Sequence, residues 1–165
     1  MRYKTIMKIF LATVVSLFTS MSFASELVTL NAKWLHQNES IIAQNLQTRT
    51  DVAAMPIINT LGEIWQNRDG ALGSEVSPQI ANALIYKANN MLAWFQKHPE
   101  ALKSWAQEIP YSLLTNYSGE PEYSAYLKQL KAQLTSSMSS YNGLFNAEAS
   151  YILSIISKAQ VREID

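Results

Sequence analysis

The longest regular alternation of apolar and polar positions lies between Pro121 and Tyr141. Apolar side chains fall there at Tyr123, Leu127, Leu130, Leu134, Met138 and Tyr141. Steps of three and four place all six on one face of an α-helix. Gln129, Lys131, Gln133 and Ser137 fall mostly on the other side. A second stripe runs through Ile80, Leu84, Ala88, Met91 or Leu92, and Phe95. Its predicted start is Ser77-Pro78, a hydroxyl N-cap followed by proline at the first helical position. His98-Pro99 ends that helix and opens a short one through Trp105, because the residue before proline is pushed out of the helical region.

Weaker signals complete the chain. Leu27, Leu30, Trp34, Ile41 and Leu46 form a looser stripe. Thr48 with Asp51 three residues on resembles a capping box, opening a helix through Ile58, Leu61 and Trp65. Pro56 is expected to kink or restart that helix, since it lacks a backbone N–H. Asn146 is expected to cap a last helix that carries Ile152, Ile155, Ile156 and Ala159 and continues to Arg162. No segment sustains the period-two alternation of a strand, and residues 150–157 come nearest. Breakers fall at residues 67–77, 109–121 and Asn142-Gly143. The pattern predicts an all-α fold, a single-domain bundle of five or six helices. The longest are expected over residues 78–97 and 121–141.

The first residues read as an address. Arg2, Lys4 and Lys8 lead into an apolar run over residues 9–18, then Ser22-Phe23-Ala24. A basic start, a short apolar stretch and small residues at the first and third positions before a cut describe a cleavable signal peptide. Residues 1–24 are the expected leader and residues 25–165 the helical domain. An uncleaved anchor holding the same domain at the inner membrane is the alternative. No second long apolar run follows, so no membrane span is expected after cleavage. Location in the periplasm of a Gram-negative bacterium is the expectation, with secretion as runner-up.

Composition narrows the chemistry. The 165 residues contain no cysteine, which excludes disulfides, thiolate metal sites and a cysteine nucleophile. Losing Arg2, Lys4 and Lys8 takes the basic count from 13 to 10 against 13 acids, a net charge of −3. Nucleic-acid binding runs on clustered Lys and Arg, and this chain shows no such cluster along its sequence; Lys128 and Lys131 merely share a helix face. No Gly-x-Ser-x-Gly elbow or phosphate loop occurs.

Two histidines are present. His36 and Glu39 share a helix face, but one such pair is far from a metal site, and none is expected. His98, before Pro99, reads as a cap or a surface tip. Asp69 to Gly73 reads as a turn between helices. Catalysis by paired carboxylates would draw on Glu39, Glu63, Asp69, Glu75, Glu108, Glu120 and Glu122. Glu63 leads this group, because burial beside Ile64-Trp65 would raise its pKa.

Aromatic residues are the remaining excess. Trp34, Trp65 and Trp94 lie on apolar stripes and read as core. Tyr111, Tyr117 and Tyr123 differ. They lie in or beside a stretch rich in Pro, Gly, Ser and Asn, where tyrosine offers rigid area with a polar tip. They are the candidate binding residues, unless the rings fold back and pin the loop to the core. The functional expectation is an exported, non-enzymatic interaction protein such as an adaptor, inhibitor or immunity protein, without cofactor. Its partner would be another periplasmic protein or an envelope glycan. The alternative is an envelope enzyme acting on peptidoglycan or polysaccharide through carboxylates.

Overall fold

The computed structural model describes the backbone of residues 3–164 and side chains from Glu26 to Ile164. The fold is all-α with one small strand pair. Helices α1 (Tyr3–Thr48), α2 (Asp51–Gln66), α3 (Gly70–Tyr86), α4 (Ala88–Lys97) and α5 (Pro99–Glu108) come in this order. A π-turn (Ile109–Leu113) and strand β1 (Thr115–Asn116) lead into α6 (Pro121–Ser140), α7 (Asn146–Ile156) and β2 (Arg162–Glu163). The side chains of the expected leader lie outside the described residues. Among the described residues no helix is long and apolar enough to cross a membrane.

Helix α3 sits at the centre, packed against α1, α2, α4, α6 and the π-turn. Its sequence explains the position. Leu72, Val76, Ile80, Ala81, Ala83 and Leu84 are all buried, so it is apolar on nearly every side. This helix overturns the predicted start at Ser77-Pro78, since both residues are buried in its middle. The start is Asp69, whose Oδ1 accepts the Leu72 N–H at 2.9 Å. Leu72 and Val76 extend the stripe backwards at helical spacing, and burial of that stripe outweighs the hydrogen bond lost at Pro78. Ser77 Oγ instead accepts from Trp105 Nε1 at 2.9 Å and from Ser112 Oγ at 3.1 Å.

The helix expected over residues 78–97 is two helices. Lys87 leaves helical geometry (φ −138°, ψ 46°) and splits α3 from α4. Its side chain turns inward, and Nζ lies 3.2 Å from Asp51 Oδ1. This break brings the helix count of the described residues to seven.

Other boundaries move for local reasons. Thr50, not Thr48, caps α2, its hydroxyl accepting the Ala53 N–H. Pro56 lies inside α2 without ending it, and Thr60 Oγ donates to the Pro56 carbonyl at 2.9 Å. Asn146 is the first residue of α7 rather than its cap, and α7 stops at Ile156, short of Arg162. On α1 the buried face is Leu35, Ile42 and Leu46, while Leu27, Leu30 and Ile41 are exposed. The stripe predicted there is rotated by one residue, because Trp34-Leu35 and Ile41-Ile42 offer two adjacent apolar positions. Helix α6 matches its prediction closely: Leu127, Leu130, Leu134 and Met138 are buried.

Trp65, Trp105 and Phe95 are the largest fully buried side chains. Both indoles have partners, Trp65 Nε1 donating to Ala101 O at 3.2 Å and Ser104 Oγ at 3.0 Å. Gly62 allows α2 to approach α4, for a Cβ there would run into the Trp94 ring.

Candidate functional site

The segment from Pro110 to Gly119 joins α5 to α6 and carries two of the three candidate tyrosines. Pro110 has no N–H to donate, and the helix widens here into a π-turn closed by Leu114 N–H to Ile109 O at 3.0 Å. Ser112 Oγ donates to Glu108 O at 3.0 Å. Ile109, Leu113 and Leu114 are buried and anchor the turn. Tyr111, on the opposite side, is 58% exposed.

Asn116 organises the second half of the loop. It is buried, and its amide is fully used. Nδ2 donates to Glu120 O and Ser124 Oγ, both at 2.9 Å. Oδ1 accepts from the backbone N–H groups of Ser118 and Gly119 at 3.0 Å and from Ser118 Oγ at 2.8 Å. This is an asparagine turn, in which the side chain replaces a backbone acceptor. Gly119 takes φ +71°, a conformation that costs other residues strain. Thr115 Oγ1 closes the other side on Pro110 O at 2.7 Å.

The chain terminus completes the site. β2 pairs in parallel with β1, Thr115 against Arg162 and Asn116 against Glu163. Ser124 Oγ donates to Glu163 Oε1 at 2.9 Å. Successive strand residues point to opposite faces. Arg162 accordingly lies on the other side, its guanidinium carbon 5.1 Å from the Tyr111 ring centre. Tyr117, 59% exposed, donates its hydroxyl to Tyr111 O at 3.1 Å. Neither ring folds onto the core. The loop is fixed by its buried polar groups and apolar anchors, which leaves both rings outward.

Tyr123 is placed elsewhere. It stacks on Tyr126 with ring centres 5.8 Å apart. Burial, then the negative charge of Glu39, raises its pKa. Tyr126 is raised in the same direction, by burial first, against a lowering hydrogen bond with Asn82. This pair belongs to a surface near α1 and α3 rather than to the loop.

The remaining candidates separate into ordinary surface roles and one cleft. His36 does not join Glu39; its Nε2 lies 2.6 Å from Glu75 Oε2, an exposed pair between α1 and α3. Among the described residues no group of three His, Asp or Glu is placed to hold a metal ion. Asp69 caps α3. Glu108 pairs with Arg68, whose guanidinium covers Trp65 with its centre 3.4 Å from the ring centroid. Glu120 and Glu122 are exposed at the head of α6.

Glu63 is exposed, which overturns the burial expected for it: Ile64 and Trp65 turn inward, and Glu63 falls on the opposite arc of the helix. It lines a cleft of about 340 Å³ together with Gln66, Lys97 and His98. His98 caps the end of α4, stacks on Trp94 at 4.2 Å, and lies 3.1 Å from Gln66 Nε2 through Nδ1. No second carboxylate lines this cleft.

Arg162 and Asn116 escaped the sequence reading. Asn116 carried a local signal, an Asn two residues before Ser and three before Gly. Arg162 carried none, because the strand pairing that delivers it spans two distant segments. No protein-family model, curated protein or solved structure matches the chain.

Proposed function

We propose that this chain is an exported, non-enzymatic interaction protein of the periplasm, acting as an adaptor, inhibitor or immunity protein. In this reading residues 1–24 are a leader removed after Ala24, and residues 25–165 work as one helical bundle. The partner is another periplasmic protein or an envelope glycan, met by the loop of Tyr111 and Tyr117; Tyr123, on its separate surface near α1 and α3, is the third candidate contact. One observation carries the reading. Two tyrosines more than half exposed stand on a loop whose buried polar groups are bonded internally. A rigid aromatic surface loses little conformational entropy on binding, and Tyr and Arg are enriched at interface centres.

Capture from periplasmic extract tests it, comparing the wild type with Tyr111→Ala/Tyr117→Ala/Tyr123→Ala. Partners retained by the wild type and lost by the triple variant are expected; identical partner sets remove the loop from the account. Intact mass of the protein from the periplasmic fraction tests export, with an N-terminus at Ser25 expected.

The second reading is an envelope enzyme acting on peptidoglycan or polysaccharide through carboxylates. The observation in its favour is that Glu63 and His98 line one cleft. Clearing of a cell-wall or polysaccharide substrate, lost on Glu63→Gln, is what it requires.

A further inference from the structure

The fold gathers positive charge that is scattered along the sequence. Arg162 lies over Tyr111. Pro110, next to Tyr111, lines a shallow trough of about 340 Å³ with Ile155, Lys158 and Ala159 at the end of α7. Lys131 reaches from α6 to the same place, its Nζ donating to Ala159 O at 2.5 Å. Lys128 lies on the Lys131 side of α6, three residues earlier, the spacing of helix-surface neighbours. Arg162 and Lys158 therefore adjoin the tyrosine loop, with Lys131 beside the trough and Lys128 one turn away from it on α6. Lys128, Lys158 and Arg162 are exposed. Among the described residues the ion pairs are His36–Glu75, Arg68–Glu108 and Lys87–Asp51, so none of the four is neutralised in this way.

Among the described residues no acid forms an ion pair with this patch. Glu163 faces away and is bonded by Ser124 Oγ. Glu120 and Glu122 sit at the head of α6, at least about 9 Å along the helix axis from Lys128 at 1.5 Å per residue. A cationic, aromatic face is complementary to negative charge on a partner.

We infer that the face formed by Tyr111, Tyr117, Lys158 and Arg162, extended by Lys128 and Lys131, docks an acidic peptide segment of a partner protein that places one aliphatic side chain in the trough beside Pro110. This rests on the tyrosine loop being the interaction surface and assigns its ligand chemistry. The trough decides among anionic partners. It is lined by Pro110, Ser154, Ile155, Lys158 and Ala159, a mainly apolar surface beside cationic groups, which suits an aliphatic side chain flanked by carboxylates. An anionic glycan has no such side chain to insert, and a lipid headgroup layer is too flat to enter it.

The test is selection of binders to the purified chain from a random peptide library. Enriched peptides are expected to carry Asp or Glu on both sides of a Leu, Ile or Val. One such peptide, fluorescently labelled, is then titrated by anisotropy. Lys158→Glu/Arg162→Glu is expected to weaken it at least tenfold, and Lys97→Glu, at a residue that lines the Glu63 cleft instead, to leave it unchanged. Binding is also expected to weaken as salt rises through the range where the Debye length falls below about 10 Å. Peptides with no acidic bias, or equal affinity for the charge-reversed variant, overturn the inference. So does binding of phosphatidylglycerol vesicles or polygalacturonate that depends on Lys158 and Arg162 while acidic peptides fail. Binders sensitive to Tyr111→Ala/Tyr117→Ala but not to the charge reversal defeat the acidic assignment and leave the tyrosine loop standing. Binders sensitive to neither defeat both. Circular dichroism of each variant confirms that it is folded.

Discussion

The tyrosine loop and the Glu63 cleft are opposite ways of placing polar groups on a helical scaffold. In the loop the polar groups are buried and bonded, and the exposed side chains are aromatic. Asn116 engages five groups, and Tyr111 and Tyr117 are left to the solvent. In the cleft Glu63 and Lys97 are exposed, and a half-buried His98 stacked on Trp94, with its Gln66 neighbour, supplies the order. The first arrangement fixes a surface before any partner arrives. The second leaves the Glu63 carboxylate facing solvent.

Substitutions sharpen the contrast. The largest effect belongs to neither region but to the core that supports both. Leu84→Asp places an unpaired charge in the buried last turn of α3, and Leu130→Asp places one at the buried middle of α6. Each is expected to cost more than about 4 kcal/mol and to abolish the native melt in far-UV circular dichroism. Within the loop, Asn116→Ala removes a buried side chain and the five hydrogen bonds that hold residues 118–120 and Ser124 together. A loss of about 3 kcal/mol by denaturant unfolding is expected. Gly62→Ala, which drives a methyl group into the Trp94 indole beside the cleft, is expected to cost about 1–3 kcal/mol by overpacking. Gly119→Ala, at positive φ, is expected to cost about 1 kcal/mol. Glu63→Gln and Tyr117→Phe should each lie within about 0.5 kcal/mol of wild type, as exposed substitutions do. A loss of several kcal/mol on Glu63→Gln, with none on Asn116→Ala, would reverse the contrast.

Much of the architecture was legible along the chain, and the reason differs by element. Helix α6 was readable almost to the residue because one unbroken stripe faces the core while its other positions face water. Helix α3 was not, because it is surrounded. A helix apolar on all sides has no phase to read, and Ser77-Pro78 then outweighs the true cap at Asp69. The break at Lys87 depends on a contact with Asp51, far away in sequence, and leaves no local mark. In the same way Tyr111 and Tyr117 were identifiable from loop composition. Their separation from Tyr123 depends on the stacking with Tyr126 and the field of Glu39, and Arg162 reaches the loop only through β1–β2 pairing. Burial of Glu63 was inferred from buried neighbours, but on a helix adjacent residues face directions about 100° apart, so Ile64 and Trp65 carry no information about it.

The central proposal is that the ordered aromatic loop, not the Glu63 cleft, meets the partner. Photo-crosslinking in living cells compares them most directly, with a benzophenone amino acid at position 111, 117 or 63 of the exported chain. Crosslinked species are expected at 111 and 117 and absent at 63. Crosslinks at 63 with none at the two loop positions would contradict the account.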